Sequence, residues 1–147
     1  MNALRKLYKE LTSLHWEIGF LDNTFEGIVR GDKLKLTLVT HNFPNSWFAD
    51  PFILDVTDDT IIVLVEEVTK KISKGRISKL VIDRRNNYVI EKKAILERPG
   101  HLSFPIIYRK DDKIYVYPEN SEDGVLNIYE YNPINDDMTL ILSLIHI

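Results

Sequence analysis

PNSWFADPFILDVTDDTIIVLVEE, residues 44–67, decides the fold. Phe48–Val56 and Ile61–Glu67 are rich in Ile, Val and Phe, and the Asp/Thr cluster Thr57–Thr60 separates them. Two β-prone runs around a short polar turn read as an antiparallel hairpin. A register centred on that turn sets Val56 against Ile61, Ile53 against Leu64 and Asp50 against Glu67. Directly opposed residues have Cβ atoms about 5 Å apart, and like charges so placed repel. The expectation is a pair of carboxylates at the open end of the hairpin, beside Trp47 and Phe48.

Outward from the hairpin, further strands are predicted at Gly75–Asp83 and Tyr88–Leu96, joined by the turn Asp83–Asn87. The polar turn Thr69–Lys74, with three lysines, reads as solvated. After the loop Glu97–His101 the pattern starts again, with strands expected at Ser103–Arg109, Lys113–Glu119, Gly124–Asn132 and Met138–Leu144. Pro51 and Pro105 are 54 residues apart, Glu67 and Glu119 52, and Gly75 and Gly124 49. A period of about fifty residues with four short strands is the pattern of a propeller blade. The predicted fold class is all-β: a partial five-bladed propeller with two blades, 47–96 and 101–144, in a single domain. Residues 1–46 would add strands at His15–Leu21 and Lys33–Thr40, and an amphipathic helix over Asn2–Leu14. Two blades cannot close a ring. The chain is therefore expected to be part of a longer protein, or to form a homo-oligomer through its open blade edges.

Composition narrows the function classes. The 147 residues are 44% hydrophobic and 28% charged, with net charge −3. Nothing basic enough for nucleic acid stands out, and no apolar run approaches the ~20 residues of a membrane span. Cysteine is absent, so thiolate chemistry and sulfur-ligated zinc are excluded. Without a signal peptide, the expected location is cytoplasmic. No cofactor is predicted; a cation near the carboxylates stays open, although no calcium-loop motif is present.

The candidate site lies at one blade rim. Asp50 and Glu67 would meet in the first blade. Ser103 would face Glu119 in the second, with His101 just before. Carboxylates accept hydrogen bonds from hydroxyls, and aromatic rings stack on the apolar face of a sugar. Asp50, Glu67 and Glu119 are thus candidate catalytic groups, and Trp47, Phe48, His101 and Ser103 candidate substrate-binding groups. A carbohydrate or glycoconjugate is the expected partner.

WFADPFI (Trp47–Ile53), VEE (Val65–Glu67), GRIS (Gly75–Ser78), HLSFP (His101–Pro105) and YPEN with the following GVLNIYE (Tyr117–Glu130) together resemble a family of five-bladed propellers. That family is related to the family-43 and family-32 glycoside hydrolases. It includes the N-terminal domain of plant glucosamine inositolphosphorylceramide transferases. The resemblance implies that Asp50, matching the first-blade ADP motif, is a general base. Neither Glu67 nor Glu119 matches the motif of the hydrolases' acid. Where they carry a second-blade Asp, this chain reads Ser103–Phe104–Pro105. Three functions follow: a carbohydrate-recognising domain of a glycan-processing or glycan-synthesising protein, an active glycoside hydrolase or transferase completed by other blades or another subunit, or a non-catalytic protein-interaction module.

Overall fold

A computed structural model describes residues 16–72 and 74–145. The expected helix at Asn2–Leu14 lies outside them. The described chain is all-β, in three antiparallel sheets with almost no helix. The first sheet pairs β1 (Gly19–Leu21) with β2 (Leu36–Leu38). Between them lies α1 (Phe25–Arg30), capped by the Thr24 hydroxyl and ended by Gly31 at φ 83°. Both strands are shorter than the sequence pattern suggests. The Asn23 side chain bonds Lys33 O and Lys35 N at 3.1 and 2.7 Å, which holds residues 33–35 in a clasp instead of a ladder.

The second sheet contains β3 (Ser46–Val56), β4 (Thr60–Thr69), β5 (Arg76–Asp83) and β6 (Tyr88–Leu96), in that spatial order. The third contains β7 (Ser103–Lys110), β8 (Lys113–Glu119), β9 (Val125–Asn132) and β10 (Asp137–Ile145), likewise in order. The fifty-residue period is therefore a repeated four-stranded meander. The β7–β8 turn uses Asp111 and Asp112 at φ 50° and 60°. Two left-handed central residues form the tight turn whose twist suits a hairpin.

The second sheet is covered on both faces. Val63 and Val65 of β4, with Phe48, Leu80, Ile82 and Val89, pack against Ile18 and Val39 of the N-terminal segment. Leu64, on the opposite face of β4, packs with Leu54 and Ile77 against Leu102, Val116 and Tyr131 of the following repeat. Each such buried aliphatic side chain contributes about 1.5–3 kcal/mol of transfer free energy. Polar bridges fasten the same seam. Lys79 Nζ lies 2.6 Å from Asp136 Oδ2, and the Tyr131 hydroxyl donates to Asp136 Oδ1 at 2.5 Å. The Arg109 guanidinium donates to the Leu54 carbonyl.

Register departs from the sequence reading in β3. Val56 does face Ile61, but the ladder then slips twice, by one residue each time. Past the irregularity between Ile53 and Asp55, Ile53 faces Val63 and Phe52 faces Leu64; past Asp50 and Pro51, Ala49 faces Glu66 and Phe48 faces Glu67. Asp50 and Glu67 are therefore not opposed. A bulge inserts an unpaired residue and turns the following side chains to the other face. Phe48 thus points into one core while Leu54, also even-numbered, points into the other.

Candidate functional site

The bulges that undo the expected pairing also shape the site. Asp50 and Phe104 sit at φ 49° and 48°, each directly before a proline. Left-handed backbone is strained for both residue types, Phe more so. Proline lacks an N–H, so it is tolerated on an edge strand or at a bulge. β3 and β7 are edge strands, and both slip by one residue at these prolines. Ala49 faces Glu66, and Ser103 faces Glu119. The repeat therefore equates Glu66, not Glu67, with Glu119.

The Ser103–Glu119 pairing forms as the sequence implies, with Ser103 Oγ 3.5 Å from Glu119 Oε2. Glu67 and Phe48 stand elsewhere. Glu67 is fully buried and points to the face occupied by Phe48 and Val65. It accepts from Ser46 Oγ at 2.7 Å, Ser78 Oγ at 2.6 Å and Arg76 Nε at 3.0 Å, and it pairs with Lys92. Burial alone would raise its pKa, but bonds from Lys92, Ser78, Ser46 and Arg76 outweigh it and lower the value to about 2. A carboxylate so enclosed is a structural anchor with no free oxygen for a substrate. Phe48 is 1% exposed, packed edge-on against His41 and Phe43. It belongs to the core. Trp47 is half-buried opposite Val68.

Glu66, one residue earlier, faces the second repeat. Its Oε1 lies 3.1 Å from His101 Nε2. The Gly75 amide donates to His101 Nδ1 at 2.9 Å. That bond makes Nδ1 an acceptor and turns Nε2 toward Glu66. The Asp50 carboxyl hydrogen-bonds Glu66 from the bulge, and Glu119 is close enough to act on its charge. Burial, foremost, holds the Glu66 pKa above the usual carboxylate range; His101 opposes this, while Asp50 and Glu119 add to it. Glu66, Asp50 and His101 thus form one connected unit.

The unit is held from behind. A Cβ on Gly75 would stand 2.4 Å from Leu102 O, 2.7 Å from Glu66 Oε1 and 2.9 Å from His101 Cε1. Only glycine fits between the carboxylate and the imidazole. The Glu122 carboxylate accepts from the His101 amide at 3.0 Å, and Lys74 reaches both Pro99 O and Glu122. Lys74 is thus a loop clamp, although its neighbours Lys70 and Lys71 are exposed as expected. Among the described residues, no three His, Asp or Glu side chains converge to hold a metal ion.

Asp50, His101, Ser103 and Glu119 are brought to one rim; Glu67 and Phe48 are not. Glu66 and Gly75 were not among the sequence-derived candidates. The signal was the proline within each strand: reading Pro51 as a bulge shifts the register toward Glu66.

These features define an all-β protein of two repeated four-stranded meanders with a carboxylate–histidine cluster at their shared rim. The chain belongs to the family described as glucosamine inositolphosphorylceramide transferase 1, N-terminal, whose sequence pattern matches residues 35–143. Glucosamine inositolphosphorylceramide transferase 1 of Arabidopsis thaliana is 34% identical over 88 residues, covering 58% of this chain and 11% of that protein. The proteins of the same name from Oryza sativa subsp. indica and subsp. japonica are each 28% identical over 99 residues, covering 67% of this chain and 13% of theirs. The chain thus spans only 11–13% of the length of these relatives. No solved structure matches it.

Proposed function

We propose that this chain is a carbohydrate-recognising part of a glycan-synthesising protein, two blades of a five-bladed propeller with its site at the Asp50–Glu66 rim. One observation carries the reading: Glu66, largely withdrawn from solvent, is bonded to Asp50 and aligned by His101. Carboxyl oxygens accept from sugar hydroxyls, so the pair can grip neighbouring hydroxyls of one ring. The family's name supports a glycosylated inositol-phosphate lipid headgroup as the ligand class.

The alternative is catalysis, with Asp50 as base and Glu66 as proton donor. The raised Glu66 pKa favours it, since an acid must hold its proton near neutral pH. Inverting hydrolysis does not fit, because that chemistry separates its carboxyls by about 6.5–9.5 Å to admit water, whereas these two are hydrogen-bonded.

Isothermal titration of the chain with glucosamine, methyl glucopyranoside and glucuronic acid tests the proposal. Wild type is expected to bind at least one, and Asp50→Asn to bind it at least tenfold more weakly. An affinity unchanged by Asp50→Asn, or no binding to any of the three, refutes the rim as a sugar site.

A further inference from the structure

Burial does not explain Phe104. The residue is 46% exposed, yet its backbone is held at φ 48°. The next residue, Pro105, is among the most deeply buried in the chain. Burying this proline fixes the bulge and turns Phe104 outward. Its counterpart in the first repeat is Asp50, with the same backbone conformation before Pro51. Where one repeat presents a carboxylate, the other presents an aromatic ring.

That ring does not stand alone. Phe52, two residues beyond Asp50, packs edge-on against it at 5.0 Å and 82°. Ser103, the residue before, faces Glu119. An apolar ring one residue along the strand from the Ser103–Glu119 pair, and packed on Phe52 two residues from Asp50, suits a ligand with C–H groups on one face and hydroxyls around its edge.

We propose that Phe104, braced by Phe52, is the platform on which a pyranose ring stacks, its hydroxyls directed to the Asp50–Glu66 pair and to Ser103 and Glu119. This rests on the carbohydrate reading above and assigns it a specificity-determining residue. The ring prefers a cyclic sugar over a linear polyol, because only the cycle offers a flat apolar face.

Saturation-transfer NMR and titration with methyl glucopyranoside, glucosamine and sorbitol test it, using Phe104→Leu and Phe104→Trp. Leucine keeps apolar bulk and removes the ring face. Phe104→Leu should weaken pyranose binding about tenfold, as expected for loss of one aromatic contact. Phe104→Trp should retain it, and sorbitol should bind no variant comparably. The strongest saturation transfer should fall on the sugar C–H protons of one face. Pyranose binding that Asp50→Asn weakens but Phe104→Leu leaves within twofold overturns the platform alone. Wild type that binds neither pyranose overturns the platform and the carbohydrate reading together.

Discussion

Replacing Glu67 by glutamine tests whether this carboxylate is an anchor or a reagent. The variant keeps the shape and removes the charge that Lys92 and Arg76 enclose. Arg76 retains Glu97 at 3.1 Å, and Lys92 retains Ser46 Oγ at 3.0 Å and the Phe43 ring at 4.8 Å, so the site should stay folded. Glu67 moves from an ordinary 4.5 to about 2 in the folded chain; at about 1.4 kcal/mol per unit, the charged form supplies about 3 kcal/mol. A depressed carboxyl pKa stabilises above the unfolded value and loses its effect as pH falls toward the folded value. Urea unfolding of both proteins from pH 7 to pH 3 reads this directly. Wild type should exceed Glu67→Gln by about 3 kcal/mol at pH 7, shrinking to roughly 1–1.5 kcal/mol at pH 3. A difference below about 1 kcal/mol at pH 7, or one that does not change with pH, would refute the anchor and return Glu67 to the list of functional groups.

Glu66→Gln should behave in the opposite way. A carboxyl held above its usual pKa weakens the fold at neutral pH, so its loss should leave thermal stability unchanged or raised while sugar binding falls; a clear drop in melting temperature would contradict this. Gly75→Ala forces a Cβ against the Leu102 carbonyl at 2.4 Å, and should cost about 1–3 kcal/mol in urea unfolding and disturb the His101 ring resonances; unperturbed His101 signals would count against the Gly75–His101–Glu66 alignment. Asp50→Gly relieves the φ of 49° and should gain up to about 1 kcal/mol while losing the site; retained sugar affinity in this variant would remove Asp50 from the mechanism.

The strands were legible because their alternation and turn residues are local signals. Tyr88–Leu96 and Lys113–Glu119 have the ends the residues imply. Register was less legible, since it is a running sum in which each bulge adds one. Pro51 announces one bulge through its missing N–H. The irregularity between Ile53 and Asp55 has no residue to announce it; packing Leu54 against Leu64 and Val116 favours it. Ser103 met Glu119 as expected because the two-residue turn and one bulge shift the register in opposite senses. In β3 the two slips accumulate and exchange Glu67 for Glu66. Neighbouring glutamates look alike in sequence, yet a strand sends them to opposite faces.

This alternation explains how two adjacent carboxylates acquire opposite chemistry. Glu67 turns toward Ser46, Ser78, Arg76 and Lys92, where charge is stabilised. Glu66 turns toward the second repeat, where burial and the carboxyls of Asp50 and Glu119 disfavour charge. Arg76 and Lys92 cannot serve both, because the sheet lies between. The strain at Asp50 has a place in the same division. A regular β3 would send residue 50 to the face of Phe48 and Glu67. The pre-proline bulge detaches Asp50 from that alternation and brings it to Glu66 instead. Backbone strain retained at a non-glycine residue is a sign of such a use. It recurs at Phe104, which stays exposed, and β3 and β7 pack together with Phe104 against Phe52, two residues beyond Asp50. A hydrogen-bonding edge and an apolar face thus come from the same backbone device, used once in each repeat.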